Sequence, residues 1–553
     1  MSPDAIRASA AAAAQRGDVA GARAIVQRGL ADHPGNAALA NSAGNLAMQA
    51  GSIAEAADLF ARAVTAEPQS IEYAVNHAIA LARLDRHGQA VAVLEPLRAA
   101  GVHDRRYCST RAAAERSAGD LAAAQEWYDR ALALEPGNAR ALHGRARVAV
   151  ERGESDAVAR FERALAANRG EADLWLGLAQ ALDVAGETVR ARQIAEQLAA
   201  QAPHWLEALR FLAQLRLAAG EADFAAPYAD AQRRLPGDPA IAFAHAEVLA
   251  GLDHAGAAVA VAAQARTRFP GNEALALLEA VHAGTLGDNA RAEAIFAALE
   301  EETPHRFLHE ARHRIRLGAY DQASALLDRA ARDLPWAIEV WALRGILWRL
   351  AADDRAAWLH GQPGLTSLLP LPGGDSVLAA VRPLLHRLHD SSPLPLGQSL
   401  RGGTQTRGRL FDRAELELAA LHAALMAALE EYRSALPPAD AAHPLLRHRD
   451  AAWRISGSWS VRLAGGGDHH TAHIHPQGIL SSALYVELPE FSGQEGQLEL
   501  GRPAPDLHVH AGPLAVFTPR EGHLALFPST LYHGTTPFSA GRRMSVAFDV
   551  QPG

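Results

Sequence analysis

The chain has 553 residues, 49% of them apolar, and a formal net charge of −9, which predicts two to four domains and leaves no basic block for a general nucleic-acid binder. No apolar run reaches the roughly 18 residues a membrane helix requires, and the single cysteine, Cys108, excludes an internal disulfide, a cysteine zinc cluster and a C-x-x-C redox pair, so a cytoplasmic setting is expected. All 53 basic residues are arginine, and without lysine there is neither a Schiff base for pyridoxal phosphate nor the lysine of a G-K-[ST] phosphate loop.

The first segment, MSPDAIRASAAAAAQRGD, reads as a helix rather than a signal peptide, because it lacks a leucine-rich apolar centre and carries Arg7 and Arg16. From there to about residue 350 the sequence repeats. Pro34, Pro68, Pro136, Pro203, Pro236, Pro270, Pro304 and Pro335 close alanine-rich helical segments, most of them 33 or 34 residues apart. Two gaps are about twice that length. Their missing marks fall near His103-Asp104 and Arg169-Gly170, where the turn composition persists. Within a unit, Gly44, Ala56, Phe60, Ala63 and Pro68 recur as Ala112, Ala124, Tyr128, Ala131 and Pro136. Small residues belong where two helix backbones approach closely, an aromatic fills the next turn, and proline ends the second helix.

This pattern resembles the tetratricopeptide repeat, over about ten units within residues 1–350. The resemblance implies an all-α solenoid whose concave face binds a protein or peptide, with a spacer or oligomerisation platform as the plainer reading.

Residues 351–398, rich in Pro, Gly and Ser, lose the repeat and read as a connecting region. The stretch 412–436 has helical periodicity, with Asp412 as its expected N-cap and Glu415 three residues on. From residue 453 short strands take over: SWSVRL, ILSSALYVEL, GQLELG, LAVFTP, GHLALFPS and RRMSVAFDV, each bounded by Gly, Pro or Ser. So many strands in about 100 residues point to a sandwich or jelly roll on a helical support. The fold expected is therefore multidomain, an all-α solenoid followed by a jelly-roll domain over 399–553.

Candidate chemistry gathers in that last domain. His473 and His475, at i and i+2 on an extended segment, point to one side. His533 follows a buried strand and a turn, and Arg543 and Ser545 share one face of the final strand. The order H-x-H, H, R-x-S resembles the iron(II)- and 2-oxoglutarate-dependent oxygenases, and within them a bacterial and phage group. The segments HIHPQGILSSALYVEL, GHLALFPSTLYH, RRMSVAFDV and SLRGGTQTRGRLF carry the likeness, over roughly residues 385–553.

The resemblance implies a double-stranded β-helix, iron(II) held by His473, His475 and His533, and 2-oxoglutarate held by Arg543 and Ser545. Dioxygen would then convert 2-oxoglutarate to succinate while a substrate C–H bond is hydroxylated. Three ligands on one face leave positions for co-substrate and dioxygen, and a guanidinium fork suits a carboxylate, although arginine weighs less in a chain without lysine. The departure is at His475, where the family places a carboxylate. Either three histidines serve, or the third ligand lies elsewhere, Asp468 being nearest in sequence.

Tyr485 could line the pocket or belong to the core. Trp453 and Trp459 read as core, and His469, His470, His508, His510 and His523 as structural or surface residues. Two rival readings stay open: a scaffold whose β-domain binds metal or a small ligand without turnover, and a cupin-like three-histidine enzyme that needs no 2-oxoglutarate.

Overall fold

Paired helices fill the chain from Pro3 to Leu350 in the computed structural model, which describes residues 1–397 and 399–553. The repeat turns explain how each pair starts. Pro34-Gly35-Asn36, Pro136-Gly137-Asn138 and Pro270-Gly271-Asn272 each end one helix and cap the next. The asparagine Oδ1 accepts from the backbone N–H three residues on, at 2.9 Å for Leu39 and Ala141 and 3.1 Å for Leu275. Where proline is missing, turns still separate Arg98–Gly101 from Arg105–Ala118 and Ala157–Ala167 from Ala172–Val184. Pro304 differs from its expected role. It opens the helix Pro304–Arg316, in the first turn, where its missing N–H costs nothing.

The small-aromatic pattern is a packing rule. A Cβ added at Gly44 would lie 2.6 Å from the Phe60 ring, so only glycine lets that ring seat against the neighbouring helix. Gly101 meets Tyr107 in the same manner.

The chain divides into two units, Met1–Leu182 and Asp183–Gly553. The first holds the early repeats. The second joins the later repeats to a strand-rich domain. Eleven strands form there among the described residues: β1 (Ser367–Pro370), β2 (Leu400–Arg401), β3 (Thr404–Gln405), β4 (Trp453–Leu463), β5 (His469–His470), β6 (Leu480–Glu487), β7 (Leu498–Leu500), β8 (Ala515–Phe517), β9 (His523–Pro528), β10 (His533–Thr535) and β11 (Arg543–Pro552). A six-stranded antiparallel sheet runs β1-β9-β6-β11-β4-β3, a three-stranded sheet runs β10-β7-β8, and β2 pairs with β5.

Strand alternation sorts the two faces of the large sheet. Met544, Val546, Phe548 and Val550 of β11 join Leu480, Leu484, Leu524 and Leu526 in a core covered by the helices Gly374–Asp390 and Leu416–Ala435. On the opposite face, Ala525 and Phe527 of β9 pack against Leu498 and Leu500 of the small sheet. The result is a jelly-roll domain with supporting helices.

Residues 351–398 are more than a connection. They carry β1, an edge strand on β9, and the helix Gly374–Asp390, whose Leu378, Val381, Leu384 and Leu385 enter the core. The predicted helix at 412–436 also starts later. Asp412 lies in a 3-10 turn over Leu410–Asp412, and the helix begins at Leu416.

Within the second unit, repeats and sheet domain share one apolar core. Phe307, Ile315, Leu343 and Leu347 of the repeats pack with Ala504, Leu507, Tyr532 and Ile474. Arg312 donates to Tyr532 Oη at 2.7 Å and to both carboxylate oxygens of Asp506 at 2.8 and 2.6 Å. Gln214 bridges the main chain at Leu394 and Leu396, both at 2.8 Å. Among the described residues, no helix is long and apolar enough to cross a membrane.

Candidate metal centre

His473 and His533 face each other across an isolated antiparallel bridge, each N–H donating to the other's carbonyl at 3.0 and 2.9 Å. Directly opposed residues project to the same side, and their ring centroids lie 4.3 Å apart. Two residues on, His475 returns to that side, with its Nε2 3.0 Å from His473 Nε2. One ligand atom from each of the three histidines lies within 4.8 Å of the others.

Each ring is oriented through its remaining nitrogen. His473 Nδ1 lies 2.8 Å from the Thr471 carbonyl and His533 Nδ1 3.2 Å from the Leu531 carbonyl. A carbonyl can only accept, so these Nδ1 atoms carry the proton and the Nε2 lone pairs point inward. His475 Nδ1 lies 2.5 Å from Asp549 Oδ1. Burial, reinforced by the neighbouring rings, pushes His473 down to about 3 and His533 well below the usual histidine range. Both are neutral, ligand-competent imidazoles at physiological pH.

The donor set fits a cation. Two nitrogens bound at about 2.1 Å and a right angle stand about 3.0 Å apart, which is the His473–His475 separation. Without a cation or a shared proton, two bare lone pairs at that distance repel.

On the same cavity wall, β11 places Arg543 and Ser545. Arg543 is 3% exposed. Its guanidinium donates to the Gly496 carbonyl at 2.8 Å and lies 5.3 Å from the centre of the Tyr485 ring. No carboxylate among the described residues pairs with it, and its Nε and the Tyr485 hydroxyl are buried without partners. Burial lowers the Arg543 pKa and raises that of Tyr485. An unpaired cation whose own Nε lacks a partner, beside an orphaned hydroxyl, is a site fitted to an anion.

The structure therefore gathers His473, His475, His533, Arg543 and Ser545 around one cavity, with Tyr485 beneath the guanidinium. Asp468 lies apart, its Oδ2 accepting from the Ala464 N–H at 2.9 Å in a turn. Trp453 is core, packed on Tyr432. Trp459, expected there too, instead walls the cavity with its ring centroid 5.2 Å from that of His475.

His470 likewise lines the cavity, stacked on His473 at 5.9 Å with Nδ1 3.3 Å from Ser399 Oγ. His469, His508, His510 and His523 do not line it. Asp549 is the residue that sequence reasoning missed. Its signal was parity, since 543, 545 and 549 share one face of a strand.

The loops that carry the histidines lean on the repeats. Ile474, between two of the histidines, and Tyr532, beside the third, are the side chains that enter the shared core with Phe307 and Leu343.

Comparison with known proteins agrees with both halves. The family described as "Putative 2OG-Fe(II) oxygenase" matches residues 457–549, and "Tetratricopeptide repeat" matches residues 155–215. Among solved structures, a tetratricopeptide repeat protein from Parabacteroides merdae is 17% identical over 44% of this chain and 96% of its own, with a TM-score of 0.37. The type IV pilus biogenesis factor PilW is 20% identical over 36% and 93%, at 0.34. MamA from Desulfovibrio magneticus RS-1 is 16% identical over 30% and 96%, at 0.28. No curated protein matches the chain. The chain carries tetratricopeptide repeats followed by a domain of the 2OG-Fe(II) oxygenase type.

Proposed function

We propose that the protein is an iron(II)- and 2-oxoglutarate-dependent oxygenase that hydroxylates a protein or peptide recruited by its repeats. One observation carries this reading: three inward-facing imidazoles and a buried guanidinium without a counter-ion share a single cavity. Bound iron(II) and 2-oxoglutarate would supply the oxidising chemistry, consuming dioxygen and releasing succinate and carbon dioxide.

The chain's own residues have distinct tasks in this proposal. His473, His475 and His533 hold the metal through Nε2, each fixed by the acceptor at its Nδ1. Arg543 receives the distal carboxylate of 2-oxoglutarate, aided by the hydroxyls of Ser545 and Tyr485. Trp459 and Phe527 on the cavity wall keep water from the reacting face.

Tetratricopeptide repeats mediate protein–protein contact as a class, and recruitment of a peptide along their concave face follows as part of the proposal. So does a cytoplasmic setting, which a single, buried cysteine suits.

The three-histidine set also favours a second reading, an iron enzyme of cupin type that uses no 2-oxoglutarate. Arg543 separates the two, because that reading gives its buried charge no task. The test supplies iron(II), 2-oxoglutarate and air to the full-length chain and measures succinate. Succinate production that needs far more 2-oxoglutarate in Arg543→Ala, at nearly unchanged iron content, supports the oxygenase. Bound iron with no 2-oxoglutarate consumption would remove it.

A further inference from the structure

Three neutral imidazoles leave a divalent cation with one more positive charge than two histidines and a carboxylate would, which alters both affinity and redox poise. The missing charge has an address in this chain. Asp549 Oδ1 lies 2.5 Å from His475 Nδ1, and the two side chains are 11% and 14% exposed. The other two rings, by contrast, meet only neutral carbonyls.

Two features set this contact apart. Asp549 shares the face of β11 that presents Arg543 and Ser545 to the cavity. Arginine neutralises many carboxylates elsewhere in the chain, as Arg312 and Arg316 do for Asp506. Among the described residues no arginine pairs with Asp549, and its carboxylate meets His475. A nearly buried carboxylate is thus committed to an imidazole rather than to any guanidinium.

We propose that Asp549 is the positioning residue of the metal centre and its source of compensating charge, acting through His475. It fixes the tautomer that leaves Nε2 bare. Through the shared proton it also gives His475 part of the anionic character that a directly bound carboxylate would bring. The inference rests on the three-histidine reading above.

Two substitutions separate geometry from charge. Asp549→Asn keeps an oxygen that can accept from Nδ1–H but removes the charge, whereas Asp549→Ala removes both. The full-length chain, stripped of metal, is titrated anaerobically with iron(II) and separately with cobalt(II), whose visible spectrum reports the ligand field.

D549A should weaken metal binding about 10- to 100-fold, with D549N in between. In both variants the midpoint potential of the bound iron should rise, because the oxidised ion loses more from a missing negative charge. In a His475→Ala background, D549N should add nothing further, a result that a merely structural role for Asp549 would not produce. Should D549A fail to fold, D549N alone decides.

If the parent chain binds metal and both variants match it within twofold, with the same potential and cobalt spectrum, the role of Asp549 is refuted while the three-histidine site stands. If the parent chain binds neither ion, both proposals fall.

Discussion

Arg543 offers a prediction whose sign is opposite to that of most core substitutions. Its guanidinium is 3% exposed, makes one hydrogen bond, to a neutral carbonyl, and has no carboxylate partner among the described residues. Desolvating such a cation costs several kcal/mol, and a cation–π contact at 5.3 Å returns only about 1 kcal/mol. Arg543→Met keeps much of the side-chain length and removes the charge. Replacing buried charge with apolar groups of similar volume can stabilise by about 1–4 kcal/mol, so the ligand-free variant should be more stable than the parent.

The parent should instead gain stability from the missing anion. At a hundred times its dissociation constant, 2-oxoglutarate stabilises by about 2.7 kcal/mol. Chemical denaturation of the zinc-loaded chain, which cannot turn over, with and without 2-oxoglutarate, measures both effects. R543M should unfold at higher denaturant and ignore 2-oxoglutarate, while the parent should respond to it. A variant less stable than the parent that keeps the full 2-oxoglutarate response would refute the assignment of this cation to an anion site.

Other consequences can be checked alongside. Burial pushes His389 down to about 3, and its rings nitrogens lie 2.9 Å from the hydroxyls of Thr404 and Ser460. Its folded-state value is below the unfolded value of about 6.5, so stability is lost as pH falls from 6.5 towards 3, by about 2 kcal/mol at pH 5. His389→Gln should flatten that slope, read as the difference between the two proteins' denaturation midpoints at pH 7 and 5. Gly44→Ala should destabilise the first unit by about 1–3 kcal/mol through overlap with Phe60, while Gly35→Ala, with open space around it, should be near neutral in the same melt. Arg312→Met strips Tyr532 Oη of its donor and leaves Asp506 to Arg316 alone. Burial works to raise the Asp506 carboxyl, but the two arginines outweigh it and hold it low, so the loss should cost about 2–3 kcal/mol and weaken metal binding beside Tyr532. Unchanged unfolding and unchanged metal affinity would dissociate the repeats from the site.

Period and parity made much of this legible. The proline spacing announced the helix pairs, and the six segments bounded by Gly, Pro or Ser all contain strands. The short strands β2, β3, β5 and β10 carry no apolar run of their own and exist only through their partners. β1 was hidden by Pro370, which an edge strand tolerates, and the helix Gly374–Asp390 by its internal Pro383.

At the site, i and i+2 spacing identified His473 with His475 and Arg543 with Ser545. The same parity extended four residues would have found Asp549. His470 and Trp459 could not be found in this manner, because the cavity they line is completed by Ser399 and Gln405 from elsewhere in the chain.

The apolar cluster that joins Phe307, Leu343 and Leu347 to Ile474, Leu507 and Tyr532 bears on how the strand-rich half can be handled. A fragment beginning at residue 399 would present those last three side chains to water and strip Asp506 of both its cations, next to the backbone that fixes His473 and His533. The final repeats are thus closer to a foundation than to a detachable handle. Substitutions in them reach the three histidines through that shared core.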